Sequence, residues 1–113
     1  MSQEELAAVK AYLEENLSKG FIMASTAPFA SPVLFVRKAN GSLWFCVDYR
    51  KLNAITKKDC YLLPLIEETL AQLTGAKLIT KLDIQYAFNR IQIATDEDKE
   101  LTTFWTRFGL YKY

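Results

Sequence analysis

The sequence predicts an α+β fold, on three observations. Apolar residues recur at helical spacing near the start, an Asn-Gly dipeptide separates two strand-like runs, and short threonine- and aromatic-rich segments follow a second helical stretch.

Ser2 is a candidate N-cap with Glu5 three residues on, the spacing of a capping box. Leu6, Val9, Leu13 and Leu17 fall on one helical face, and Gly20 supplies a C-terminal stop. Residues 21–32 carry Pro28 and Pro32 and read as extended loop, because proline disfavours helix for itself and its predecessor. Val33 to Lys38 and Ser42 to Tyr49 read as the strands of a hairpin. Asn40-Gly41 is its turn, with both positions at positive φ.

Arg50 to Thr56 reads as irregular and polar. Pro64 suits a helix first turn, Ile66, Leu70 and Leu73 give that helix an apolar stripe, and Gly75 ends it. Lys77 to Asp83, Ile91 to Ala94 and Leu101 to Phe108 are expected as strands, with Leu110 to Tyr113 opening a further one. Asp96, Glu97, Asp98 and Glu100, with Lys99 among them, read as a solvated turn.

Half of the 113 residues are hydrophobic and 13% are aromatic, enough for a core and against disorder. No apolar run approaches the ~20 residues of a membrane span, and the acidic start lacks the layout of a signal peptide. A soluble, intracellular protein is expected. Cys46 and Cys60 read as small buried hydrophobes, and they are too few for a zinc site. With no histidine, histidine-dependent catalysis by this chain alone is excluded. Net charge is only +1, but Arg37, Lys38, Arg50, Lys51, Lys57 and Lys58 cluster against the single acid Asp48. That stretch either meets phosphates or is an ordinary solvated face.

Three phrases, in order, resemble gypsy-type reverse transcriptases of LTR retrotransposons. They are Ser31 to Lys38 (SPVLFVRK), Cys46 to Asn53 (CVDYRKLN) and Lys81 to Phe88 (KLDIQYAF), with Tyr61 to Ile66 (YLLPLI) fitting between them. The resemblance implies an incomplete right-hand polymerase. Residues 1–75 would form an N-terminal helix and the fingers, and residues 76–113 the first strands of the palm. The implied reaction is addition of deoxynucleotides to a primer 3′ end on an RNA or DNA template.

In the family, the aspartate matching Asp83 holds two Mg2+ ions ~3.5–4 Å apart, and the carbonyl matching Ile84 adds a ligand. Without the resemblance, Asp83 is a strand-end acid capping a turn. Phe88, beside Ala87, matches the aromatic that collides with a ribose 2′-hydroxyl. By composition alone it is a core phenylalanine. Arg37 and Lys38 match fingertip residues that reach the nucleotide's phosphates. Asp48, Arg50 and Asn53 match the phrase lining the template path, although Arg50 could instead form an ion pair with Asp48. Gln92 reads as a surface amide.

The resemblance further implies that two catalytic aspartates lie beyond Tyr113 in a Tyr-x-Asp-Asp phrase. No Asp-Asp pair occurs in this sequence, so the chain alone is expected to be inactive. Its partners would be template–primer, deoxynucleotide and the remaining palm, thumb and RNase H parts of a Pol polyprotein, in cytoplasmic virus-like particles and without a membrane. Three residues depart from the pattern, one of them Phe45, which adds bulk beside Trp44. Trp44 stands where arginine is usual, losing roughly 1.5–3 kcal/mol of charged hydrogen bonding to a phosphate, and Tyr86 replaces a small residue. The alternative is a non-catalytic remnant that binds nucleic acid or protein.

Overall fold

The computed structural model describes residues 1–113 and bears out a mixed helix-and-sheet fold. Helix α1 (Gln3–Ser18) begins in a complete capping box. The Ser2 hydroxyl accepts from the Glu5 amide, and the Glu5 carboxylate accepts from the Ser2 amide. It ends where Gly20, at φ +71°, lets the amides of Gly20 and Phe21 reach back to Leu17 and Asn16. Val9 and Leu13 are buried, but Leu17 is exposed and Asn16 is buried in its place, donating to the Tyr12 carbonyl at 2.8 Å.

Strands β2 (Val33–Arg37) and β3 (Leu43–Val47) pair antiparallel, Phe35 opposite Phe45 and Val36 opposite Trp44. Their turn is not the one the sequence suggested. Gly41 alone has positive φ, and its amide donates to the Lys38 carbonyl at 2.9 Å. Asn40 instead accepts from the Ser42 amide and hydroxyl. A three-residue loop with glycine in the left-handed position answers the same sequence signal.

A second sheet has the order β1-β5-β4, from β1 (Met23–Ala24), β4 (Phe104–Thr106) and β5 (Gly109–Lys112), all antiparallel. The segment expected as the opening of an unfinished strand is therefore the centre of this sheet. The sheet also recruits Met23 and Ala24 from the expected loop. Ser31 bridges to Phe104 and joins hairpin to sheet, its amide donating to Thr103 and its carbonyl accepting from Trp105.

The core sits between α1, the hairpin and the second sheet. Val9, Leu13, Ile22 and Phe104 are buried there, with Tyr12, Phe35, Phe45, Tyr111 and Tyr113 packed around them. Tyr12 stacks on Phe45 at 3.9 Å, and Phe104 lies 5.4 Å from the Tyr113 ring. The Tyr12 and Tyr113 hydroxyls meet at 2.7 Å, which satisfies both polar tips inside an apolar cluster.

Further expectations fail. Arg50–Ile55 is a short helix, α2, rather than irregular chain, with the Asp48 carboxylate accepting from the Arg50 amide at its start. Asp96–Leu101 is helix α4, so the strand expected over 101–108 contracts to β4, and the acids form a helix rather than a turn. Neither 77–83 nor 91–94 is a strand. A strand exists through its cross-strand hydrogen bonds, and no segment of this chain pairs with either. Cys60 is exposed and Cys46 half-buried, so the buried reading holds for neither fully. Helix α3 (Ile66–Gln72) forms where expected, yet its apolar stripe is exposed. No helix is long and apolar enough to cross a membrane.

Residues 57–92 leave this body as an extended excursion. The radius of gyration is 18.3 Å, against about 13 Å for a compact chain of this length.

Candidate functional site

The expected site residues lie in three places. Arg37 and Lys38 sit at the tip of the β2-β3 hairpin. Arg37 donates to Glu4 of α1 at 3.2 Å, and Lys38 places its ammonium 4.1 Å from the centroid of the Trp44 ring. Both cations thus have intramolecular partners. Trp44, on the outer face of the hairpin, is 57% exposed, so its indole offers a stacking surface that also carries a cation. Phe45 points the other way, into the core, and does not crowd it.

Asp48 and Arg50 sit where β3 turns into α2. Arg50 grips Asp48 with two hydrogen bonds, Nε to Oδ1 at 2.9 Å and Nη2 to Oδ2 at 2.8 Å. The Arg50 side-chain bonds and then its backbone amide pull the Asp48 carboxyl down to about 2. Because guanidinium has five N–H donors, the fork that satisfies Asp48 leaves others free. The Arg50 side chain is 87% exposed, so the ion pair and a phosphate contact are compatible. The pair faces a groove of ≈ 670 Å³ bordered by Phe29, Pro32, Lys51, Leu52 and Ile55. Lys51 belongs to the basic stretch noted in the sequence, whereas Phe29 and Ile55 were not singled out there as groove-lining residues. The available signal was Phe29 between two prolines. Asn53 lies on α2 but does not line the groove. Its amide continues the helix, donating to Tyr49 at 2.7 Å.

Asp83, Ile84, Ala87 and Phe88 lie on the excursion. Asp83 is exposed in irregular chain and takes part in no ion pair. Ile84 is exposed, and Ala87 opens a 3-10 turn, Ala87–Arg90. Phe88 is 95% exposed, so the core-phenylalanine reading does not hold within this chain. Gln92 is a surface amide, as expected. Between Asp83 and the turn stands Tyr86, the one non-glycine residue at positive φ, +53°. For a tyrosine that backbone costs about 1–3 kcal/mol and persists only where surroundings hold it.

As a metal centre, these residues fit in kind but not in number. An exposed carboxylate and a neighbouring carbonyl are the hard oxygen donors Mg2+ prefers. No group of three His, Cys, Asp or Glu is placed to hold an ion. Two acids of α4 are otherwise engaged. Asp96 accepts from Lys99 at 2.7 Å, and half-buried Glu100 pairs with Lys112 and accepts from Ser25 at 3.0 Å. Those two partners hold the Glu100 carboxyl below its usual range. No hydrogen bond, ion pair or ring contact joins hairpin tip, groove and excursion acid to one another.

Residues 36–110 match the family model for reverse transcriptase (RNA-dependent DNA polymerase). The match begins at the end of β2 and takes in the hairpin turn, β3, the Asp48–Asn53 phrase and the Asp83–Phe88 phrase. The Transposon Tf2-3 and Tf2-4 polyproteins of Schizosaccharomyces pombe are each 36% identical over 109 residues, 96% of this chain. The chain spans about 8% of the length of these curated relatives. Matching both motif phrases in order across most of its length, the chain belongs to the reverse transcriptase (RNA-dependent DNA polymerase) family.

Proposed function

We propose that this chain is the fingers and the start of the palm of a gypsy-type LTR retrotransposon reverse transcriptase, working within a Pol polyprotein. Residues 1–75 serve as fingers and 76–113 as partial palm. The observation that carries the reading is the family match through both the Asp48 and the Asp83 phrases. Similarity to transposon polyproteins supports the parent context.

In this reading the polyprotein, in cytoplasmic particles of the element, adds deoxynucleotides to a primer on an RNA or DNA template. Asp83 contributes one carboxylate to a two-Mg2+ site, with the Ile84 carbonyl beside it, and the remaining acids come from elsewhere in the polyprotein. Bound Mg2+ would supply charge stabilisation at the transferring phosphoryl group. This chain's residues do the rest. Arg37 and Lys38 meet nucleotide phosphates once they exchange Glu4 and Trp44 for the ligand. Phe88, with Ala87 beside it, excludes the ribose 2′-hydroxyl. Arg50, oriented by Asp48, meets the template backbone in a groove whose Phe29 offers a base-stacking edge, the combination single strands favour. Asn53 lies further along that path. With one carboxylate, the 113 residues alone are inactive.

The groove also favours a second reading, nucleic-acid binding without catalysis. Primer extension separates the two. A longer polyprotein segment should extend a primer with Mg2+ and stop on chelation, while this chain alone does not extend. A folded longer segment that binds template–primer yet never extends would leave only the binding role.

A further inference from the structure

Every hydrogen bond, ion pair and ring contact between the excursion, residues 57–92, and the rest of the chain runs through one side chain, Tyr86. Lys19, at the C-terminal end of α1, donates from Nζ to the Tyr86 hydroxyl at 2.8 Å. The same ammonium lies 4.2 Å from the centroid of that ring. Glu15, one helical turn earlier, pairs with Lys19 and fixes it. On the other side of Gly20, Phe21 places its ring 5.7 Å from Tyr86.

We propose that this cluster is a clip holding the Asp83–Phe88 turn against the end of α1, with Tyr86 as a positioning residue for Asp83. The positioning role rests on the polymerase reading above. The clip does not.

Three features support it. Tyr86 precedes the 3-10 turn and accepts from the Asn89 amide at 2.9 Å, so fixing Tyr86 fixes the turn that carries Phe88. Three residues of chain span at most ~10 Å, so Asp83 is leashed to within that distance of the clip. The left-handed backbone of Tyr86 needs an external hold, and Lys19 and Phe21 are the groups that provide one. Lysine and tyrosine lie 67 positions apart, so the contact belongs to the tertiary fold rather than to local chain geometry.

Hydrogen exchange on the 113-residue chain tests the clip. Lys19→Met and Tyr86→Ala should each speed exchange at Asn89 and its neighbours by about tenfold, the scale of one lost charge-assisted hydrogen bond. The amides of Phe104 and Tyr111 should not change, and Lys19→Arg should restore protection. Unchanged exchange over 84–92, or acceleration spread equally through the body, overturns the clip. Positioning is read in the longer polymerase segment. Lys19→Met should lower kcat about tenfold with KM for deoxynucleotide unchanged, and Lys19→Arg should rescue it. An unchanged kcat, or a change in KM alone, overturns positioning. If the parent segment does not extend a primer, the polymerase reading has failed, and the clip is judged on exchange alone.

Discussion

The body and the excursion of this chain use similar residues to opposite ends. In the body, α1, the β2-β3 hairpin and the β1-β5-β4 sheet close over Phe104 and Val9, both fully buried. In the excursion, Leu62, Leu82 and Phe88 are no less apolar and stand almost wholly in water. Hydrophobicity therefore does not decide burial here. What decides it is whether the chain supplies a second surface. The body's aromatic rings find one another across three elements, whereas α3 and the Asp83 phrase meet nothing of comparable size. Stability resides in the first region, while Asp83 and Phe88 lie on the second, which touches the first through Tyr86.

Core truncation should mark the contrast most strongly. Phe104→Ala empties the centre of the body and should cost about 3–5 kcal/mol in urea unfolding, while Phe88→Ala should stay within about 0.5 kcal/mol. Equal losses would mean that the excursion packs in solution. Limited trypsin digestion asks the same question kinetically. Cleavage should come first at Lys57, Lys58, Lys77 and Lys81, all exposed, and leave Lys112 for last, since it is half-buried and paired with Glu100. Early cutting at Lys112 would contradict a self-sufficient body.

A smaller effect belongs to the two half-buried tyrosine hydroxyls. Tyr113→Phe strands the Tyr12 hydroxyl and should cost about 1–2 kcal/mol, and adding Tyr12→Phe should recover part of that loss. Strict additivity would mean that the two hydroxyls do not bond. The smallest effect is electrostatic. Because folding depresses the Asp48 carboxyl, its contribution is complete above the ordinary value of 3.8 and is lost as pH falls toward about 2. Carboxyl carbon shifts should show Asp48 titrating in that lower window and moving back up in Arg50→Ala. A midpoint unchanged by Arg50→Ala would remove the ion pair.

Local signals in the sequence were legible where the decisive interaction is local. The Ser2–Glu5 capping box, the Gly20 stop and the presence of a hairpin around Gly41 all follow from residues within a few positions of one another. The turn, and hence the register, differs from the two-residue Asn40-Gly41 reading. Helix α4 was equally local and was missed. Thr95 followed three residues later by Asp98 is a cap pattern, and the Thr95 hydroxyl does accept from that amide. Strands were harder because pairing is a property of two segments. Alternation over 77–83 gave no hint that a partner was missing, and Met23–Ala24 gave none that β5 would find it. Phrase resemblance located the Asp48 and Asp83 regions, which the family match supports, but not the groove wall or the Lys19–Tyr86 contact.

The most direct test compares Asp83→Asn with Asp98→Asn in a longer polymerase segment, at matched folded fraction, by primer-extension rate. Loss of roughly a thousandfold in the first, about 4 kcal/mol of barrier, with little change in the second, is the expected result. Full extension by Asp83→Asn would contradict the account at its root.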